Sequence, residues 1–228
     1  MRLNIACGPN MFASANWINY DRVDMRPYLT ELKGFKSTVG MPEHQRRLFA
    51  YLSEGGEIDF RVRDVREGFP MHESGSIDAI YLGQMIEHLN PLYEAPKLIA
   101  ECRRMLKPGG FLKITTPDLD LLINAYKNGD MAMFTAEQPE FYKHAPPSAK
   151  LAFLMYGASG PNCTWDNYEG HMFLYTRESM TELLSGAGFA KCEVNFYREE
   201  GMSRDIVMAE EAVDAGMSHS FATEVVAS

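Results

Sequence analysis

"LNIACGPNMFASANWINYD", residues 3–21, decides how the rest of the chain is read. An apolar run, "RLNIA" (2–6), meets a turn at Gly8-Pro9-Asn10. A second strand-like run, "NWINY" (16–20), follows and ends at Asp21. A glycine just past a strand has no Cβ to hold a ligand away from the backbone. Open α/β sheets bind ligands at the carboxyl ends of their strands, and an acid in that place can accept two hydrogen bonds from a diol. Taken alone, the stretch fits an ordinary turn and a solvated acid equally well, because a lone glycine is a weak signal. The gap from Gly8 to Asp21 is too short for a full crossover helix, so a loop or one helical turn is expected there.

Working outward, short apolar runs alternate with helical patterns. "IDFRV" (58–62), "SIDAIYL" (76–82) and "GFLKITT" (110–116) read as strands. "KCEVNFY" (191–197) and "DIVMAE" (205–210) read as a final pair. Between them, Ala95, Leu98, Ile99, Cys102, Met105 and Leu106 fall on one helical face. Asn90 is its expected N-cap, Pro91 its first residue, and Lys107-Pro108-Gly109 its end. A helix from near Thr176 carries the stripe Met180, Leu183, Leu184 and Ala187, and "PEHQRRLFAYLSEGG" (42–56) is a third. Strands alternating with helices predict βαβ units and a mostly parallel sheet covered on both faces. The expected organisation is one domain over 1–212, with helical insertions at about 22–57 and 129–170 and a poorly ordered tail at 213–228. The second insertion is rich in aromatics, among them Phe134, Phe141, Tyr142, Phe153, Tyr156, Trp165 and Tyr168. It reads as either an extra core layer or the wall of a substrate pocket.

The net charge of −9 argues against a protein that tracks a phosphate backbone, which needs a basic surface. Cys7, Cys102, Cys163 and Cys192 lack metal-type spacing, and a reducing cytoplasm suits them. "MRLNIACGP" has no long apolar segment of the signal-peptide kind, and no apolar run is long enough to span a bilayer.

"FRVRDVREGFPMHESGSIDAIYLGQMIEHL" (60–89) adds Asp64 at a third strand end, "FP", "SIDAI" and "EHL", in that order. With "ACGPN" and Asp21, the ordered set resembles the class I S-adenosylmethionine-dependent methyltransferases, especially the methyltransferase type 11 group. "RRMLKPGGFLKITTPD" (103–118) and "HMFLYTRESMTELLSGAGF" (171–189) are similar to that group too. The resemblance covers residues 2–126 and 171–209. It implies a seven-stranded, mostly parallel Rossmann-like sheet with helices on both faces and the last strand antiparallel. It also implies S-adenosylmethionine as cofactor. Ala6, Cys7, Gly8 and Pro9 would hug the methionine part, and Asp21 would hold the ribose hydroxyls. Asp64, with the Val65 amide, would meet the adenine, and Gly83 and Gln84 would line the sulfonium. The group's acid-x-Gly-x-Gly-x-Gly loop holds Asn4, Ala6, Gly8 and Asn10 here, so one glycine remains.

Methyl transfer from a sulfonium needs alignment of the nucleophile and exclusion of water, and a base only where the nucleophile carries a proton. His88 and His171 are the candidates, because histidine titrates near neutral pH; a structural hydrogen bond is the competing role of His88. Glu87 reads as a scaffold contact. Trp165, Tyr168 and His171 are expected near the sulfonium end. The acceptor class expected is a small or saccharide-like molecule, with no nucleic-acid or membrane partner, and oxygen methylation is preferred. Two other readings compete. One is a methyltransferase-fold protein that binds the cofactor without catalysis or acts as a scaffold. A nicotinamide-dependent oxidoreductase requires Gly-x-Gly-x-x-Gly opening a helix, which "ACGPNMFA" lacks.

Overall fold

The computed structural model describes residues 1–41, 43–130, 144–156, 170–189, 192–195 and 220–227. Its strands are β1 (Arg2–Ile5), β2 (Trp17–Asp21), β3 (Asp59–Val62), β4 (Ile77–Gly83), β5 (Leu106–Pro117), β6 (Cys192–Asn195) and β7 (Ser220–Val226). The helices are α1 (Arg26–Lys33), α2 (Glu43–Ser53), α3 (Glu94–Met105), α4 (Leu119–Asn128), α5 (Pro147–Tyr156) and α6 (Arg177–Gly186). The strands form one sheet in the order β3-β2-β1-β4-β5-β7-β6. β3, β2, β1, β4 and β5 run parallel, and β7 lies antiparallel between β5 and β6.

One face of the sheet carries Leu3, Ile5, Ile18, Tyr20, Ile80, Leu82, Leu112 and Ile114, buried against α3 and α6. Each strand is therefore buried at alternate positions, and the stripe read on α3 supplies the opposing Leu98, Ile99, Cys102 and Met105. α3 begins at Glu94, after a turn at 91–93, instead of at Pro91. Pro96 then sits in the first helical turn, where its missing N–H has no intrahelical partner to lose. Thr176 caps α6 with a reciprocal pair to Ser179. Lys107 to Gly110 lie inside β5, at an irregularity in its pairing with β4, and do not precede it as a breaker.

The opposite face is organised by a row that is polar from β2 onward. Phe60, Asn19, Asn4, Tyr81, Lys113 and Glu224 are successive register partners across six strands, so they share that face. Lys113, 3% exposed, meets Glu224 at 3.6 Å. Asn4 and Asn19 hold the crossover 6–16, which contains no helix, as its length demanded. Asn19 Oδ1 accepts from Asn4 Nδ2 (2.9 Å) and from the Phe12 amide (2.8 Å). Asn4 Nδ2 also donates to the Asn10 carbonyl at 2.9 Å. Phe12 then packs edge-on to Trp17, 4.4 Å between centroids, and covers the sheet in place of a helix.

Two expectations change. Residues 22–57 carry α1 and α2 and form the crossover that parallel β2 and β3 require, packed over Cys7, Met11 and Phe60, so they belong to the alternation. The sequence predicts a poorly ordered tail from 213, yet Ser220–Val226 is an interior strand hydrogen-bonded on both sides. Phe221, Ala222, Thr223 and Val225 are all buried there. With Thr223 buried and Val226 half-exposed, the strand shows no apolar-in, polar-out alternation to betray it. The stretch 205–210, most of the insertion 129–170, and with it Trp165 and Tyr168, lie outside the described residues. No helix among the described residues is long and apolar enough to cross a membrane.

Candidate active site

Four parallel strands finish at the same edge of the sheet, and the residues after them converge. Ala6 follows β1, Asp21 ends β2, Asp64 follows β3, and Gln84 follows β4. All four line one cleft of about 650 Å³, together with Val65 and His88. That volume lies within the range of small-molecule sites, ~300–1,000 Å³.

The cleft floor is set by backbone geometry. Ala6 and Gln84 are the two non-glycine residues with positive φ among those described, at 56° and 50°. Gly8 follows at 49°. Left-handed backbone costs an L-residue roughly 1–2 kcal/mol, and such outliers gather at functional sites. Ala6 therefore takes the backbone shape a glycine would take, in spite of its Cβ. The turn is fixed by hydrogen bonds. The Cys7 amide donates to the Tyr20 carbonyl at 3.0 Å, and the Asn10 amide donates to the Cys7 carbonyl at 2.9 Å. The Gln84 amide donates to the Thr115 carbonyl at 2.9 Å.

Asp21 is clamped by two backbone donors. Gly8 N–H reaches Oδ2 at 2.8 Å, and Val23 N–H reaches Oδ1 at 2.9 Å. Each oxygen keeps a second lone pair for a ligand. Asp64 Oδ1 caps the short turn Val65–Glu67, accepting from the Arg66 amide at 2.9 Å and its Nε at 3.0 Å. Burial raises this carboxyl, but the amide and guanidinium of Arg66 outweigh it and hold it below its ordinary value. Arg22, Arg63 and Arg66 add a cationic rim.

The remaining positions read from the sequence lie beside the cleft. The Cys7 side chain is buried in the cluster under α1 and α2, and burial followed by the Asp21 charge pushes its thiol up. Gly8 and Pro9 form the turn behind the lining. Gly83 is a packing position, because a Cβ there would stand 2.6 Å from the Tyr81 ring. His88 lines the cleft and is exposed, with Nδ1 3.3 Å from the Gly170 carbonyl. Its ring stands 4.9 Å from that of His171, nearly edge-on at 73°. Gly170 and Met172, on either side of His171, line the same cleft.

Glu87 explains how that second segment arrives. Its carbonyl accepts the amides of Met172 (2.7 Å) and Phe173 (3.1 Å), docking residues 170–173 across the strand ends. Its side chain turns inward and is fully buried, with Oε2 accepting from the Thr116 hydroxyl at 3.1 Å. Burial pushes this carboxyl up to about 8, with the Thr116 hydrogen bond opposing. Sequence reasoning placed Glu87 near the site as scaffold and missed its burial. It also missed the Asn4–Asn19 pair and the arginine rim. The apolar context of Asn4 in "LNI" was the one signal available.

Comparison with known proteins follows the same outline. The family model "Methyltransferase domain" matches residues 3–194. A ubiquinone biosynthesis O-methyltransferase of Xanthomonas oryzae pv. oryzae is 27% identical over 120 residues, covering 50% of this chain and 41% of that protein. Its counterpart in Xanthomonas axonopodis pv. citri is 35% identical over 65 residues, 28% of this chain and 26% of the other. The chain thus matches less than half the length of these curated relatives. Among solved structures, a SAM-dependent methyltransferase from Archaeoglobus fulgidus aligns over 99% of this chain and 85% of its own, with 15% identity and a TM-score of 0.50. One from Methanosarcina mazei covers 99% and 89%, with 16% identity and a TM-score of 0.51. With the strand order and the convergent cleft, the match over residues 3–194 places the chain in the methyltransferase domain family, with the class I S-adenosylmethionine-dependent methyltransferase fold.

Proposed function

We propose that the chain methylates a small-molecule acceptor, at oxygen, with S-adenosylmethionine bound in the cleft of Ala6, Asp21, Asp64 and Gln84. The carrying observation is the convergence of those four residues from four successive parallel strand ends. The residues fit the cofactor. The left-handed backbone at Ala6 and Gly8 opens the turn, and a Cβ at Gly8 would have met nothing within 4 Å, so there is room against the backbone. When bound, the cofactor supplies a methyl already activated on a sulfonium.

The chain's own groups then have separate tasks. Asp21, held rigid by the Gly8 and Val23 amides, orients the ribose hydroxyls. Asp64 and the Val65 amide receive the adenine. The Cys7-Gly8-Pro9 turn fixes the approach of the methionine part, and Gln84 with the end of β4 at Gly83 bounds the sulfonium side. His88 and His171, with Gly170 and Met172, form the acceptor-side wall, where an acceptor atom would be held in line and water excluded. The preference for oxygen draws on the O-methyltransferases that the chain resembles over part of its length. The buried thiols of Cys7 and Cys102 suit a cytoplasmic setting.

A non-catalytic cofactor-binding role is the second reading, drawn from the single glycine of the loop. The positive φ of Ala6 weighs against it, since the loop keeps its open shape. Thermal unfolding tests the proposal: S-adenosylhomocysteine raises the melting temperature and NAD does not. The reverse would refute it.

A further inference from the structure

Glu87, His88 and His171 form a cluster that the methyl-transfer chemistry leaves unused as a set. One carboxylate oxygen of Glu87 and one ring nitrogen of each histidine all lie within 4.8 Å of one another. The two imidazoles come from separate segments, the turn after β4 and the stretch 170–173. The hydrogen bonds from Met172 and Phe173 to the Glu87 carbonyl pin those segments together. The two rings stand 4.9 Å apart between centroids, at 73° to one another.

A second observation is independent of this spacing. Glu87 is fully buried, and its Oε1 has no hydrogen-bond partner among the described residues. A buried carboxylate oxygen without a partner is costly. The Thr116 hydroxyl serves the other oxygen only. A cation held through Oε1 would supply the missing partner, and its charge would offset the cost of burying the carboxylate.

We propose that Glu87, His88 and His171 bind a divalent first-row transition metal ion of the zinc or cobalt type. Two imidazoles and one carboxylate suit these ions and not magnesium or calcium, which prefer all-oxygen sets. Zinc bonds of ~2.0–2.2 Å put tetrahedral ligand atoms roughly 3.3 Å apart. With all three atoms within 4.8 Å, no pair needs to close by more than about 1.5 Å on binding, which rotation of the exposed His88 ring can supply. Three protein ligands leave the fourth position open, as in catalytic sites. His88 also lines the cleft, so an acceptor oxygen entering there would be the ligand for that position. This role rests on the methyl-transfer reading; the binding of metal does not. With the metal in place both imidazoles are ligands and neither is a base.

The test uses the full chain, stripped with chelator and titrated with Zn²⁺ and, separately, Co²⁺ by calorimetry and visible absorption. The expected result is one ion per chain, with the d–d spectrum of a four-coordinate cobalt site. Glu87→Gln, His88→Ala and His171→Gln should each weaken binding tenfold or more. Far-UV circular dichroism confirms folding, and Glu87→Asp serves in place of Glu87→Gln should that variant not fold. Absence of stoichiometric binding, or binding that all the variants leave unchanged, overturns the proposal. S-adenosylhomocysteine is titrated into the same metal-free protein. Retained binding there alongside failed metal binding refutes the metal site alone, while failure of the cofactor arm refutes the methyl-transfer reading.

Discussion

Replacing Asn19 with alanine tests whether a side-chain pair does the work of the missing crossover helix. Asn19 is fully buried and Asn4 is 1% exposed. The substitution removes the acceptor of the Phe12 amide at 2.8 Å and the donor to the Phe12 carbonyl at 3.3 Å. It also removes one of the two bonds made by Asn4 Nδ2. Each buried orphan costs ~1–3 kcal/mol. The two at Phe12 therefore cost ~2–6 kcal/mol together, reduced where water enters the space left by the amide. The expected loss is about 3 kcal/mol, or roughly 6–12 °C of melting temperature at ~2–4 °C per kcal/mol for a chain of this size. Urea unfolding followed by far-UV circular dichroism measures it. Asn4→Ala and the double variant complete a cycle whose coupling should reach ~0.5–3 kcal/mol. S-adenosylhomocysteine should also bind more weakly, although neither asparagine lines the cleft, because the pair fixes the turn that does. A loss below about 1 kcal/mol, or no coupling, would refute the reasoning.

Three other outcomes are expected. Asp21→Ala should weaken S-adenosylhomocysteine binding at least tenfold by calorimetry, since a hydrogen bond to a charged group contributes ~1.5–3 kcal/mol. It should also lower folding stability by roughly 1–2 kcal/mol through the Gly8 and Val23 amides, and Asp21→Asn should fall between; normal binding by the alanine variant would remove Asp21 from the cofactor site. At Ala6, glycine should stay within about 1 kcal/mol of the parent, as relief of ~1–2 kcal/mol is offset by unfolded-chain entropy and lost methyl packing. Ala6→Val, branched at a positive φ, should cost more than about 1 kcal/mol; equal urea midpoints for the two would count against strain there. Asp78 is held below the usual carboxylate range first by the Lys107 ammonium at 2.7 Å and then by the terminal amino group. Its lowered value means that its contribution is present above the ordinary carboxylate range and is lost as pH falls below about 4. Half-exposed as it is, the pair contributes under ~1 kcal/mol, so Asp78→Asn should flatten the acid limb of a stability–pH curve only slightly, and less in high salt.

The strands and helices that could be read from the sequence were those whose signal is local. β1 to β4 and α3 announce themselves in runs of 4–12 residues bounded by turn chemistry. The acids Asp21 and Asp64 were legible for the same reason: each stands at or just after a strand end, so position along the chain fixes position at the sheet edge. β7 was illegible because nothing near it in sequence defines it. Its neighbours are Phe111–Pro117 and Cys192–Asn195, and its buried Thr223 and Ala222 leave no polar–apolar contrast.

Glu87 shows the same limit at the site. "EHL" places a carboxylate and an imidazole side by side in sequence, yet a turn sends the first into the core and the second into the cleft. The burial depends on Thr116 from β5 and on the segment 170–173 closing over the turn. Asn4 carries the opposite lesson. Its polarity inside an apolar strand reads as a defect in a glycine-poor motif. In the fold it is the donor that, with Asn19, lets a helix-free crossover shape the turn beside the cleft. The loop's departures from the glycine-rich pattern and the shortness of its crossover are thus one structural change. A chain that restored the glycines while removing the asparagines would lose the turn instead of repairing it.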